Sequence, residues 1–491
     1  MARSAHQALY LTAGRLALLA GLFTAPLAHA ASADPGPFSI AAYTPSDDQT
    51  GVGGRANFAF QLKDIQTSLQ ASVEGGGLAD GADPFAAAAR GQSWTGSQAQ
   101  MTTIWTPSDV ARLEISLSDQ LKHSLTQVDP LAPQTPSQAT NTLSQSAKVT
   151  AVMTPLTPVE LRVGGEASSG EVSVPATSVA GALTSASNLR NDDGKVFADV
   201  TWKPLSRLSL TAGQGVESVG VASQGVGGAS YAYMTPHVSG VLTPWTSAEW
   251  TLSIERTVSQ PAAAQFASFM GVADRPAAAS FQPDHGWSYS AVLKQTLPGA
   301  VVVSANLTQS NLQSVTDLGP VGTTQAPISI GSGQRRQVDV ALTAPVTVPG
   351  FAPLKLSASA GWLQSQVTDP FTGARRPISG DAPYKAEVDL TGGRLGKLPL
   401  SWALKAQVVG PQAIYQMSQI DQISQTAGVG GTLAYKAGPI TVGLQLDNIV
   451  GGGRTDTALT YAGSRAFDVT DGAHETRDDS RAVRLSFSRA L

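Results

Sequence analysis

One unit recurs along this chain. An alternating apolar and polar run ends in a short turn that contains proline, and a second alternating run follows at once. Because successive side chains of a β-strand point to opposite faces, the alternation predicts strands with one apolar and one polar face. The clearest turns are Trp105-Thr106-Pro107, Met153-Thr154-Pro155, Trp202-Lys203-Pro204 and Leu242-Thr243-Pro244.

About twenty segments carry this pattern, within a plausible range of about 16 to 22 for a barrel of this kind. An even number of strands returns the chain to the side of a membrane from which it started. The sequence therefore predicts an all-β fold, a transmembrane antiparallel β-barrel with short periplasmic turns and long extracellular loops. The predicted strands are 38–43, 55–62, 65–73, 97–105, 111–118, 147–153, 159–167, 195–202, 207–216, 229–242, 247–257, 287–296, 300–309, 334–344, 354–363, 384–391, 398–409, 427–436, 440–449 and 481–491.

Long polar stretches rich in Gly, Ser, Gln and Asp join many of these hairpins. Structureless connections of such length are unusual in a compact soluble domain but ordinary on the outer side of a barrel. A soluble sheet with one solvated face is the alternative, and the long connections favour the barrel over it. The predicted long connections are 74–96, 119–146, 168–194, 258–286, 310–333, 364–383 and 450–480.

Residues 1–30 have the features of a secretory signal. Arg3 and Arg15 are basic, residues 16–23 form a short apolar run, and Ala28-His29-Ala30 fits a cleavage site. We expect cleavage after Ala30, so that residues 31–491 form the barrel in the outer membrane of a Gram-negative bacterium.

The polar positions of the predicted strands carry many charges. A charged side chain that faces lipid costs about 2–4 kcal/mol at the membrane midplane, so we expect these charges to line the interior. About twenty strands enclose a lumen too wide for side chains to fill, so the lumen holds water or a plug. The predicted lumen-lining residues are Arg335, Asp339, Lys385, Glu387, Asp389, Lys405, Asp447 and Arg484.

Composition narrows the classes of function. The 36 acidic residues outnumber the 32 basic ones, which argues against nucleic acid as a partner. The absence of cysteine excludes disulfides, zinc-thiolate sites and a cysteine nucleophile. No His-Glu-x-x-His, Gly-x-Ser-x-Gly or Walker A pattern occurs, so we predict no enzyme, no metal and no cofactor. We expect His237 near a short turn and His123, His285 and His474 in or beside long loops, all as solvated side chains.

Four stretches of the second half carry a resemblance to a known family: residues 282–289, 331–339, 367–384 and 446–450. In their order and spacing they resemble the C-terminal barrel of TonB-dependent outer-membrane receptors, over less than half of the chain. The resemblance implies a barrel in the outer membrane. Receptors of this family carry an N-terminal plug and a segment that TonB grips, and residues 31–43 show no such segment. We therefore expect a relative without its own plug, or one whose plug is a separate chain.

The chain also ends in alternation, with Val483, Leu485 and Phe487 on one side of the last predicted strand. A terminal amphipathic strand of this kind is what the barrel-assembly machinery of the outer membrane reads. The expected partners are therefore outer-membrane lipid, that machinery, and a separate plug or periplasmic protein.

Three functions fit these observations. The leading hypothesis is a transporter or channel that binds or passes a solute through a lumen of mixed charge. The alternative is a surface interaction protein whose long loops bind a partner or a polysaccharide, and a hydrolase embedded in the barrel is the third. Arg375 and Arg376 lie in a predicted surface loop, where they meet an anionic ligand or remain solvated loop charges.

Overall fold

The computed structural model describes residues 39–45, 49–78, 92–126, 138–174, 178–179, 182–183, 187–223, 227–259, 282–322, 324–347, 354–393, 398, 400–438, 440–450, 453–478 and 482–489. Regular structure in these ranges consists of β-strands. Within them, no helix has the length and apolar character needed to cross a membrane. The predicted signal, residues 1–30, lies outside the described residues. So do residues 127–137, which belong to the predicted connection 119–146.

The structure contains long strands that follow one another and short strands in the connections. The strands up to residue 259 are β1 (Ser39–Pro45), β2 (Gln49–Leu62), β3 (Ile65–Leu78), β4 (Gln92–Ser108), β5 (Ala111–Thr126), β6 (Gln138–Leu156), β7 (Val159–Val174), β8 (Ser178–Val179), β9 (Ala182–Leu183), β10 (Ser187–Leu205), β11 (Leu208–Ser223), β12 (Gly227–Leu242) and β13 (Ala248–Ser259). The later strands are β14 (Asp284–Leu297), β15 (Val301–Ser314), β16 (Thr316–Val321), β17 (Thr324–Ser329), β18 (Gly333–Val346), β19 (Leu354–Thr368), β20 (Arg375–Arg376), β21 (Tyr384–Gly392), β22 (Leu400–Val409), β23 (Gln412–Tyr415), β24 (Gln419–Gln425), β25 (Gly428–Ala437), β26 (Ile440–Val450), β27 (Gly453–Tyr461), β28 (Val469–Asp478) and β29 (Ala482–Arg489).

The long strands form one antiparallel sheet of 21 strands, of which β20 has only two residues. Strands that are neighbours along the chain pair with each other, apart from the short strands in the connections. The first strand also pairs with the last, with Ala41 opposite Ser488 in β29 and opposite Gly53 in β2. Each predicted segment overlaps one long strand, so the prediction of a large antiparallel β-barrel is confirmed.

The recurring proline turns share a geometry at the end of the sheet where the connections are short. Around Pro107 the register shifts between Trp105 and Ser108, because proline has no N–H to offer to the ladder. The residue before it, Thr106, donates its N–H to Asp64 O of the preceding turn at 2.8 Å. The same bond recurs from Thr154 to Val110, from Lys203 to Pro158 and from Thr243 to Arg207. Each hairpin is thus tied to the one before it.

Apolar side chains lie outside the sheet. Val196, Leu252 and Met234 are exposed by 65%, 63% and 60%, although their strands pair on both sides. A water-soluble sheet would cover such side chains, whereas the lipid-facing surface of a barrel requires them. The apolar face therefore lies against a membrane, as the sequence predicts.

The connections at the other end contain more structure than predicted. The connection 310–333 holds the hairpin β16–β17, and 450–480 holds β27 and β28. Strands β23, β24, β27 and β28 form a four-stranded sheet from two different connections. The prediction of structureless connections is wrong there, because these strands pair with partners that are distant along the chain.

Candidate functional site

The polar face, defined as the face opposite the exposed apolar side chains, carries rows of charges that cross several strands. Lys148, Glu166, Lys195 and Glu217 face one another in register on β6, β7, β10 and β11. Lys148 Nζ lies 3.4 Å from Glu166 Oε2, and Lys195 Nζ lies 3.6 Å from Glu217 Oε2. The signs alternate along the row, so each inner charge has opposite neighbours on both sides. None of the four stands out in the sequence, because the row exists only across strands.

A further pair meets across an intervening strand. His237 Nε2 on β12 lies 3.3 Å from Asp199 Oδ1 on β10. Gly213 on β11 separates them, and a Cβ atom there would collide with Asp199 Oδ1. The expectation that His237 is a solvated residue near a turn is therefore corrected, since it lies within a strand and contacts a carboxylate. His285 and His474 likewise lie in strands, β14 and β28.

The residues predicted to line the lumen lie on long strands, and five of them form ion pairs that the sequence does not indicate: Arg335, Asp339, Lys385, Glu387 and Lys405. Arg335 does not pair with Asp339 but with Asp381 of the next connection, at 3.0 Å from Nε to Oδ2. Asp339 instead approaches Lys385. Lys405 Nζ lies 2.9 Å from Glu387 Oε2, and Asp389 is opposite Lys405 in register. Asp447 of β26 is opposite Ala482 of β29, and Arg484 of β29 is opposite Gln445 of β26.

The two loop arginines have different environments. Arg375 is exposed, whereas the side chain of Arg376 is 6% exposed and surrounded by acidic partners. Arg376 Nη1 lies 2.9 Å from Asp317 Oδ2, and its Nε lies 2.5 Å from Asp369 Oδ2. Neighbouring residues of an extended segment point to opposite sides, so one arginine faces outward and the other faces inward.

A second buried arginine completes this cluster, which we call the loop network: Asp317, Asp369, Arg376, Arg465 and Tyr415. Arg465 Nη2 lies 2.6 Å from Asp369 Oδ2. The Tyr415 ring lies close to both cations, with its centroid 4.4 Å from Arg376 Cζ and 5.5 Å from Arg465 Cζ. The five residues come from four separate connections, and two positive charges balance two negative ones. The loop network therefore holds connections together.

The Asp369 carboxylate is the centre of the loop network. Its Oδ1 accepts the backbone N–H groups of Phe371 and Thr372 at 2.9 and 3.0 Å. Burial acts to raise the pKa of the Asp369 carboxyl, but the contacts with Arg465, Phe371 and Arg376 outweigh burial and hold that pKa below its usual value. Asp369 is therefore a stable anion at neutral pH. In the same surroundings burial raises the pKa of the Tyr415 hydroxyl.

Among the residues that the structure describes, no group of three or more acidic or histidine side chains is arranged to hold a metal ion. The polar face offers separated charges of both signs, and the loop network offers a balanced and closed set. Such surfaces can select solutes by charge and can hold extracellular segments in place.

No protein-family model matches the chain, and no curated protein is significantly similar to it in sequence. Solved structures do match. The siderophore receptor PiuA from Acinetobacter baumannii superposes with a TM-score of 0.64 at 10% identity, over 94% of this chain and 82% of that chain. The ferric yersiniabactin uptake receptor FyuA from Yersinia pestis gives 0.64 at 11%, over 94% and 81%. The copper transporter OprC gives 0.63 at 12%, over 93% and 80%.

The chain has the barrel fold of TonB-dependent receptors. The resemblance expected from residues 282–450 is confirmed at the level of the fold and extends over nearly the whole chain. With the exposed apolar face of the sheet, this fold belongs in the outer membrane, as the sequence predicts.

Proposed function

We propose that this protein is an outer-membrane transporter or channel, in which the polar face lines a lumen of mixed charge that binds or passes a solute. The observation that carries the proposal is the rows of charged side chains on the polar face. Lys148 and Glu166 are exposed by 52% and 46%, and Lys405 and Glu387 by 49% and 40%, so these pairs are open to solvent instead of sealed in a core. A solvated wall of charges suits passage of water-soluble solutes.

Selection in such a lumen follows from its width and from the charges on its wall. Alternating signs prevent a strong field of one sign, so a solute with both charges, or with many polar groups, finds partners along the wall. Copper and siderophores are named for the similar receptors. For this chain we propose only a water-soluble solute, moved without enzymatic chemistry.

The lumen-lining residues of this proposal are Arg335, Asp339, Lys385, Glu387, Asp389, Lys405, Asp447 and Arg484, together with the row from Lys148 to Glu217. We further propose that any plug comes from a separate chain. Protein refolded from inclusion bodies would then be open, and a periplasmic extract would lower its conductance.

Planar-bilayer recordings test the proposal. Refolded protein is expected to give stepwise conductance in KCl, and liposomes that contain it are expected to swell in isotonic sugar. Heat-modifiable migration on gels confirms folding before each recording. Folded protein that gives neither conductance nor swelling would overturn the proposal.

A second candidate function is a surface interaction protein, favoured by the loop network and the four-stranded sheet of β23, β24, β27 and β28. These features hold the connections in one arrangement, which a binding surface needs. Variants with a loosened network, such as Arg376→Gln, would lose binding of cells or polysaccharide while conductance persists. Equal binding by wild type and variant would count against this function.

A hydrolase remains the third hypothesis. A lipase assay of the wild type and of a His237→Ala variant tests it, because His237 is close to a carboxylate. Hydrolysis that is lost in the variant would support it, and absence of hydrolysis in the wild type would remove it.

A further inference from the structure

A groove of about 630 Å³ lies on the apolar face, across β14, β15, β18 and β19. Tyr289 and Trp362 lie at its two sides, on β14 and β19. Leu307 and Val338 lie between them, and both are exposed. The groove therefore opens away from the polar face and toward lipid.

One end of the groove is polar. Arg336 lies in register with Gln309 on β15 and with Gln364 on β19, so the three side chains share a level. All three are exposed. Two residues further along β18, at Val338, the apolar part begins.

This polar level lies at the extracellular edge of the membrane. The apolar side of β18 runs from Val338 to Val346, and the strand then enters a short connection. Eight residue steps correspond to roughly 27 Å along a strand, or about 20 Å along the membrane normal at the usual tilt. Arg336 lies two residues further, roughly 24 Å from Val346 along the normal, and so at the edge of an apolar band that is about 25 Å tall. It is therefore at the level of lipid headgroups, where an arginine costs little.

Arg336 has no ion-pair partner among the residues that the structure describes. The neighbouring Arg335 points to the other face and is held by Asp381. An exposed, unpaired guanidinium between two amide side chains presents donors to the membrane surface, and its planar fork matches phosphate geometry.

We propose that this groove binds a phosphorylated, multi-chain glycolipid of the outer leaflet, of the lipid A type, with Arg336 on its phosphate. The amides of Gln309 and Gln364 face the sugar hydroxyls, and the acyl chains lie over Leu307 and Val338. The inference rests on the outer-membrane location of the barrel and not on whether the barrel conducts.

The width of the groove favours a glycolipid over a phospholipid. Four adjacent strands are three inter-strand spacings, or about 14 Å across. That span accommodates a lipid with several chains side by side, whereas a lipid with two chains covers only part of it. The aromatic side chains of Tyr289 and Trp362 bound the span at both sides, as interfacial aromatics do in barrels.

Native mass spectrometry of the barrel in detergent tests the proposal, with purified lipid A added in bisphosphoryl and dephosphorylated forms. The wild type is expected to retain bisphosphoryl lipid A. The Arg336→Gln variant is expected to bind it about tenfold more weakly, which is the usual loss for one charge-assisted contact. Arg336→Lys keeps the charge and is expected to recover part of the affinity.

The matched control is Arg207→Gln, which removes an exposed arginine at the short-turn end. It is expected to bind like the wild type. Undiminished binding by folded Arg336→Gln would overturn the proposal, as would equal retention of dephosphorylated lipid A. Equal retention of phosphatidylglycerol would overturn the choice of a glycolipid. Conductance is measured in parallel, and its failure would concern the proposed transport alone.

Discussion

Asp339 and Lys385 approach each other across an intervening strand, with Lys385 Nζ 3.9 Å from Asp339 Oδ1. Gly361 lies between them in register, on β19. A Cβ atom at Gly361 would lie 2.5 Å from Asp339 Oδ1 and 3.0 Å from Lys385 Cε. The glycine therefore provides the space in which the two charges approach, as Gly213 does for Asp199 and His237.

We expect Gly361→Ala to destabilise the barrel. The added methyl group forces both charged side chains to move. Because the atoms it meets are the ends of flexible side chains, we expect the free energy of unfolding to fall by no more than about 1 kcal/mol relative to Gly170→Ala, the low end of the cost of overpacking a core. Urea unfolding in lipid vesicles, followed by tryptophan fluorescence, measures the change. Gly170→Ala on β7 is the control, because a Cβ atom there meets nothing within 4 Å. The space argument fails if both variants unfold alike.

Reversing lysines of the polar face is expected to change ion selectivity. In Lys385→Glu with Lys405→Glu, two positive charges of the proposed wall become negative, so cations should be favoured over anions by about twofold or more. Reversal potentials in a KCl gradient give the ratio. Lys63→Glu, in the exposed turn between β2 and β3, is the control. An unchanged reversal potential in the double variant would show that these side chains do not line the ion path.

Removing Arg376 is expected to disorder the connections while the barrel persists. In Arg376→Gln the carboxylates of Asp317 and Asp369 stay buried with fewer partners, a change that destabilises by about 3–5 kcal/mol. Limited trypsin digestion should cut the connections faster, while heat-modifiable migration of the barrel is retained. Arg375→Gln, the exposed neighbour, should digest like the wild type. Similar digestion of both variants would contradict the structural role of the loop network.

The loop network should also weaken in acid. Because the pKa of Asp369 is held below its usual value, the carboxylate stabilises the folded connections fully above about pH 4. That contribution is lost as the pH falls through the lowered pKa. The protection factors of the Phe371 and Thr372 amides against hydrogen exchange should therefore decrease when the pH drops below 4. An Asp369→Asn variant should show low protection both at neutral pH and below pH 4, and a persistent pH dependence in it would point to another group.

Much of the barrel follows from local pattern. Each predicted strand overlaps a long strand, because the period of two is written in every segment that faces lipid. The strand ends were not predicted: β6 runs from Gln138 to Leu156, while the sequence indicates only 147–153. Residues 138–146 extend β6 on the side of the long connections, where no apolar face is needed, and pairing with β5 keeps them extended.

The candidate site was predicted less completely. The charged positions at Arg335 and Lys385 follow from alternation, but their partners do not. The loop network was missed, because Asp317 and Arg376 are 59 residues apart along the chain. No local signal separates Arg376 from the exposed Arg375.

By itself the sequence determined that alternate residues share a face, and it placed the turns, because both properties depend on neighbouring residues alone. Tertiary structure decided which charges meet, which arginine is buried, and that Arg336 lies without an ion-pair partner among the described residues. These are contacts between strands far apart along the chain, and their distances depend on register and on the space left by residues such as Gly361.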